Sequence, residues 1–473
     1  MHFDSDLQDL ASLLPKGMLA RAERAQGATK SGVDEGLARR SFLKLSVASG
    51  FALGVFPQSA LAQEGKQPGP AALKPFDQPG AFVHIAPDGT VTVTINRLEF
   101  GQGVLTALPM ILAEELDADW SKVRAVHGDS DPAYVDPAFG MHLTGGSGSI
   151  KRSYTQYREL GARTRAMLVL AAASQWNVDA ASLRTENGRV LRADGQSIAY
   201  GDLADAAMKA PVPHKVALKD AKNFRLIGKA TNRLDATAKS TGSQSFGMDM
   251  QLPGMLTAVV VHPPVFGARL TSVDDSAARA IAGVKAVIRM PTDRGGEGIA
   301  VVAQGYWAAK QGRDALKLVW DTSAVEKVDS VAQLASYQAL AKKTGLVQFK
   351  ADVSALAKAP KKISAEFTFP YLAHAPMEPL NCTVHVTGQG ADAKATLWLG
   401  TQMPGFDAMA ASKVLGIAPK YIKINVQMAG GGFGRRAVPT ADYVVEACTV
   451  SKMAMAAGLH DPIRVVWSRE DDI

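Results

Sequence analysis

Cysteine is nearly absent: the 473 residues include only Cys382 and Cys448. Iron–sulfur clusters and zinc ribbons need about four ligating side chains, usually thiolates. Any such centre must therefore sit on another chain. A membrane-spanning stretch is also lacking, since the mildly apolar run at 45–56 has twelve residues and a spanning helix needs about 20. No charge of one sign dominates, because 52 Lys and Arg against 45 Asp and Glu leave +7. The basic residues are scattered, and their densest runs, at 215–222 and 358–362, come with no zinc finger, basic-region heptad or RNA-binding aromatic signature. That argues against nucleic acid as a partner. None of the nine histidines has the i, i+4 spacing of a zinc protease helix. What remains is 47% hydrophobic and 21% charged, the composition of a soluble globular protein. The length suits about two to four domains.

The first residues read as an export signal. Arg39 and Arg40 precede the apolar run, and Ala60-Leu61-Ala62 gives a small-residue cleavage pattern. The arginine pair points to the twin-arginine route, which carries folded proteins, and hence to a periplasmic location. Residues 1–62 are thus expected to be a signal peptide, and the Pro/Gly-rich residues 63–80 a linker.

Beyond the linker the patterning is mixed α and β. Two β-type runs, 82–85 and 91–95, flank a Pro87-Asp88-Gly89 turn. Helices are expected after Gly103 and over 151–176. Residues 256–320 alternate strand, helix and strand at short spacing, which predicts a compact α/β unit. Residues 331–358 read as helical and connecting. Further strands are expected at 364–369, 382–386, 395–399 and 421–428, with helices at 405–415 and 440–457.

Three glycine-rich loops carry the chemistry. They are Gly101-Gln102-Gly103, then Gly145-Gly146-Ser147-Gly148-Ser149, then Gly430 to Gly432 with Phe433, Gly434, Arg435 and Arg436. Each is expected to open a helix, whose free N–H groups and positive dipole end bind anions. Lys151, Arg152, Arg435 and Arg436 would add full charge. Three such loops suit a ligand with several separated polar groups. Gly-x-Gly-x-x-Gly fails at all three, because Thr106, Lys151 and Arg435 stand where the third glycine belongs, and no P-loop is present.

Together these stretches resemble the molybdopterin-binding subunits of the xanthine dehydrogenase/aldehyde oxidase family. The resemblance is carried by residues 99–110, 113–120, 374–379, 400–404 and 430–436, and is nearest to the isoquinoline 1-oxidoreductase beta-subunit type. It implies an α+β or mixed α/β fold with molybdopterin-binding lobes at 81–215 and 361–473 around an α/β-hammerhead domain at 216–330, joined by a connecting segment at 331–360. The implied cofactor is molybdenum–molybdopterin cytosine dinucleotide, the metal being held by the pterin rather than by protein ligands. Gln402 would hydrogen-bond the metal's oxo ligand. Phe433 would lie in the loop touching the metal's ligand sphere, with Gly431, Gly432, Gly434, Arg435 and Arg436 around it. Gly101, Gln102 and Gly103 would touch the pterin, and Gly145, Gly146, Ser147, Gly148 and Ser149 would cradle the phosphates. The implied partners are a small [2Fe-2S] subunit, a cytochrome c as onward acceptor, and an N-heterocycle or aldehyde as substrate.

One departure stands out. The family's Gly-Val-Gly-Glu motif, whose carboxylate is the catalytic base, is missing from these residues. The sequence is expected to be cut in mid-domain, with the base beyond Ile473, so that no catalytic residue is assigned within it. Glu378 reads as a polar residue of the substrate-side wall or a turn rather than a substitute. The alternatives are an inactive product that binds only a partner subunit or the cofactor, and a solute-binding protein that takes an anionic ligand on its glycine loops.

Overall fold

The computed structural model describes residues 73–292, 295–347 and 350–472. The expected leader and the first part of the linker lie outside them. The last part of the linker is docked rather than free: short helical turns form at Pro75–Asp77 and Pro79–Phe82, and Phe82 is fully buried.

The first lobe begins with β1 (Val83–Ile85) and β2 (Val91–Ile95), an antiparallel pair closed by the expected turn. Its Gly89 has φ +83° and Thr90 N–H donates to Asp88 Oδ1. Helix α1 (Val104–Leu116) then crosses to β3 (Val123–His127), which pairs parallel to β2. Helix α2 (Ser149–Trp176) packs on α1, and Val91, Val93, Leu108, Leu112, Tyr157 and Leu160 fill the space between sheet and helices. The crossing needs a glycine. A Cβ on Gly161 would stand 2.3 Å from the Leu112 carbonyl oxygen. A polar meander, β4 (Arg184–Glu186), β5 (Arg189–Leu191) and β6 (Ser197–Ala199), leads into α3 (Tyr200–Ala207).

The second lobe contains β7 (Leu256–Val261), β8 (Arg269–Asp274), β9 (Val284–Pro291), β10 (Glu297–Ala303), α4 (Tyr306–Asp314) and β11 (Lys317–Asp321), close to the expected alternation. Helix α5 (Ser330–Ala341) follows, then β12 (Asn381–Thr387), β13 (Lys394–Leu399), α6 (Pro404–Leu415), β14 (Ile422–Val426), α7 (Asp442–Ala456) and β15 (Ile463–Val466).

One connection was not foreseen, and one expectation needs correction. Strands from 216–330 and 361–473 join in a single sheet. One seven-stranded sheet runs β14-β13-β12-β15-β7-β10-β9, because β15 pairs antiparallel with β12 and parallel with β7. A short, fully buried strand of four residues gives little period-2 signal in sequence, so this bridging element was not expected. Residues 364–369 form no strand, and Phe367 and Phe369 are exposed. Their alternation is real, but they have no neighbouring strand among the described residues to complete a ladder.

Cys382 and Cys448 are unpaired, buried thiols, and burial pushes both well above the usual thiol range. Among the described residues no helix is long and apolar enough to cross a membrane.

Gly161→Ala should destabilise the chain by about 1–3 kcal/mol, the usual effect of overpacking, although alanine is the better helix former by about 1 kcal/mol. Urea unfolding measures it. An unchanged or raised midpoint would show that α1 and α2 can separate freely.

Candidate functional site

The loops singled out in the sequence meet between the two lobes. β2 runs into the buried residues 96–99, and Leu98 N–H donates to Thr144 Oγ1 at 2.8 Å. Thr144 N–H donates to the Gln402 carbonyl at 2.8 Å, and Gln402 Nε2 donates back to the Thr144 carbonyl at 2.7 Å. Gln402 N–H donates to the Arg436 carbonyl at 3.1 Å, and Ala429 N–H donates to the Glu99 carbonyl at 3.2 Å. Segments distant in sequence therefore form one hydrogen-bonded surface. Two cavities lie elsewhere, one beside Glu114 and Arg225 and the other beside Lys285 and Asp461.

The three glycine loops prove unlike one another. In the first, the amides of Leu105, Thr106 and Ala107 at the start of α1 are already satisfied from within. The Glu99 carboxylate, fully buried, accepts from Gly101 N–H at 2.8 Å, Gly103 N–H at 3.2 Å and Leu105 N–H at 3.0 Å. Burial alone would raise its pKa, but these N–H groups and Lys239 hold it below the usual carboxylate range. Gln102 folds back on the turn, donating to the Leu98 carbonyl and accepting from Phe100 N–H. The anion expected on this loop is replaced by the protein's own carboxylate.

The second loop keeps its donors. Gly146 and Ser147 have φ of +59° and +51°, and α2 starts at Ser149. Among the described residues, the amides of Ser149, Ile150 and Lys151 have no internal acceptor. The Arg152 side chain lies alongside, held by the Gly145 carbonyl and Asp136 and stacked 4.3 Å over Phe139. A helix of 28 residues thus presents its positive end to the surface.

The third loop does not open a helix directly, since α7 starts six residues after Arg436. Its two arginines are engaged internally. Arg436, fully buried, donates to the carbonyls of Gly431, Gly400 and Glu378 and to the Glu378 carboxylate at 3.1 Å. Arg435 pairs with Asp442 and Asp472. Neither adds free charge for a ligand, which corrects the sequence expectation. Runs of basic residues beside a glycine loop do not reveal partners that lie elsewhere in the chain.

Glu378 is equally occupied. Oε1 accepts from Met248 N–H and Asn381 Nδ2, and Oε2 from Gly430 N–H and Arg436. A Cβ on Gly430 would lie 2.6 Å from that of Glu378, so the loop seats directly on this residue. Phe433 is exposed, with φ of +54°, a strained conformation for an aromatic residue. Gln402 Oε1 is buried without a partner beneath Gly432.

Sequence reasoning assigned no role to Thr144, Glu99 or Asp407. Thr144 has no local signal. Glu99 could have been read as a capping carboxylate just ahead of a helix start. Asp407 is buried in the first turn of α6, where it takes a hydrogen bond from Thr401 beside Gln402. Burial raises its pKa to about 7, against the lowering effect of Thr401, while Asp442 raises it further.

Comparison with known proteins gives the chain a family. A family model described as a molybdopterin cofactor-binding domain matches residues 30–260, and a second of the same description matches 340–473. The beta chain of isoquinoline 1-oxidoreductase from Brevundimonas diminuta is 33% identical over 92% of this chain. This chain belongs to the xanthine dehydrogenase/aldehyde oxidase family of molybdopterin-binding subunits. A second relative is the membrane-bound aldehyde dehydrogenase [pyrroloquinoline-quinone] of Gluconacetobacter polyoxogenes, 31% identical over 92% of the chain. A nicotinate dehydrogenase chain from Pseudomonas putida is 27% identical over 83%. The chain spans 60%, 56% and 32% of these three relatives' lengths respectively.

The raised pKa of Asp407 has a definite sign. The folded state holds the proton more tightly than the unfolded chain, so stability falls as pH rises from the ordinary value of 3.8 through about 7. Asp407→Asn keeps the acceptor for Thr401 and removes the charge. It should stabilise the chain by about 1–3 kcal/mol at pH 8, with a smaller gain at pH 5. Urea unfolding at both pH values is the measurement, and an equal difference at the two would contradict this assignment.

Proposed function

We propose that this chain is the cofactor-holding part of a molybdenum hydroxylase large subunit, loaded with molybdenum–molybdopterin cytosine dinucleotide. The observation that carries the reading is the meeting of residues 96–103, 142–149, 400–403 and 428–436 on one surface, within the two stretches matched as cofactor-binding domains. When bound, the cofactor supplies the redox and Lewis-acid chemistry by which a water-derived oxygen reaches an electron-poor carbon.

The chain's own residues divide the work of holding that group. The free amides at the start of α2, with Gly145, Gly146, Ser147 and Gly148 before them, take the phosphates. Residues 101–103, already capped by Glu99, offer a rigid backbone edge rather than charge. Gln402 brings a buried, unpartnered acceptor close to Gly432, and Phe433 stands exposed beside it. The sequence contains no Gly-Val-Gly-Glu segment, and both Glu378 oxygens are occupied. A general base is worth about 10²–10⁴ in rate, so this chain by itself is proposed to bind the cofactor and hydroxylate poorly.

N-heterocycles and aldehydes are the proposed substrates, in keeping with the relatives named for isoquinoline, nicotinate and aldehyde. Electrons are proposed to leave through a separate [2Fe-2S] subunit and then a cytochrome c. Export by the twin-arginine route to the periplasm completes the proposal, because it allows loading before export.

The test is expression with the partner subunit in a host that makes the cytosine dinucleotide, followed by metal analysis and nucleotide release by acid. The expected result is about one molybdenum and one cytidine monophosphate per chain, the stoichiometry of one cofactor site. A folded product with neither, or one carrying a quinone and no molybdenum, as the name of the Gluconacetobacter relative would suggest, overturns the reading.

A further inference from the structure

Glu99 joins more of the candidate surface than helix capping alone requires. Its side chain caps the amides of Gly101, Gly103 and Leu105. Arg233 and Lys239 clamp it from outside, at 3.1 and 3.4 Å, and both also pair with Asp235. Arg233 reaches past the carboxylate to the Gly101 carbonyl at 2.9 Å. The main chain of the same residue works in another direction. Its N–H donates to His127 Nε2 at 3.0 Å, and its carbonyl accepts from Ala429 N–H at 3.2 Å, immediately before Gly430. Burial lowers the His127 pKa to about 4, so the ring stays neutral and its acceptor remains available.

We infer that Glu99 is a positioning residue that sets the spacing between the Gly101–Gly103 turn and the Gly430–Gly434 loop, and so the fit of the pterin cofactor between them. The inference rests on the proposed function, since it needs those two loops to face one ligand. Physically, a carboxylate that accepts three N–H groups and pairs with two cations leaves its backbone little freedom. A neutral amide in its place loses the ion pairs, and one of its two polar atoms becomes a donor facing donors. The turn then loosens, and the Ala429 contact loosens with it.

Glu114 provides a matched control. It too is buried, and its Oε2 accepts from three successive amides, those of Arg225, Leu226 and Ile227, with Lys219 nearby. It lies on α1 away from the loops that converge.

The experiment compares Glu99→Gln, Glu114→Gln and the unaltered chain in two readouts. The first is amide hydrogen exchange without cofactor. Glu99→Gln should speed exchange at Gly101, Gly103 and Leu105 and also at Ala429, across the gap. Glu114→Gln should speed it at Arg225, Leu226 and Ile227 and leave Ala429 unchanged. Unaltered exchange at Ala429 in Glu99→Gln overturns the inference whether or not cofactor binds. The second readout is the rate at which loaded chains lose molybdenum. Glu99→Gln should release it about tenfold faster or more, which corresponds to losing one charge-assisted hydrogen bond, while Glu114→Gln stays within about twofold of the unaltered chain on the same scale. Equal losses from both variants would show only general destabilisation and overturn the inference. An unaltered chain that never loads molybdenum would overturn the proposed function, and the Ala429 result would still decide the coupling. If Glu99→Gln does not fold, Arg233→Met weakens the same clamp from its exposed side and should give the Ala429 effect in milder form. No effect there would count against the inference.

Discussion

The surface between the lobes depends on a two-way pairing of Thr144 with Gln402. One residue lies just before the second glycine loop and the other just after β13, 258 positions along the chain. Main-chain N–H of the first meets main-chain carbonyl of the second, and the glutamine amide closes the pair from the other side. The pairing fixes which amide atom of Gln402 is which, since an oxygen against the Thr144 carbonyl would be repelled. It also fixes where β14 delivers the third loop, because Gln402 holds the Arg436 carbonyl and Arg436 holds Gly400 and Gly431.

Internal charge does most of the remaining work. Carboxylates placed against clusters of backbone N–H groups recur at Glu99, Glu114 and Glu378. Each does for the chain what a bound anion would do, and each removes a possible anion site from the surface. Arg436 and Arg435 are satisfied in the same way by acids and carbonyls. Buried pairs of this kind add little net stability, but they are costly to break, by about 3–5 kcal/mol when one partner is removed. Their role here is geometric. They leave three successive amides, those of Ser149, Ile150 and Lys151, on offer at the first turn of α2.

Much of this was legible in the sequence. The turn at Pro87–Gly89, helices α1, α2, α6 and α7, and the alternation from β7 to β11 followed from periodicity and turn chemistry, and the glycine loops marked segments that do converge. Several features were not legible. The meander β4–β6 consists of three-residue strands with little apolar pattern. β15 is only four residues long, yet it merges two regions into one sheet. The alternation at 364–369 predicted a strand that has no described neighbour. Sequence spacing also could not show that Glu378 seats the third loop, because its contacts to Gly430 and Met248 span 52 residues or more. Motif reading finds the loops, and only the fold shows which of their amides remain free.

If phosphate-bearing ligands meet the chain at the start of α2, hydrogen exchange of the full chain with and without cytidine diphosphate tests it most directly. New protection is expected at residues 146–151 and none at 101–105. Protection confined to the first loop, or absent from both at saturating nucleotide, would contradict the assignment of α2 as the phosphate site.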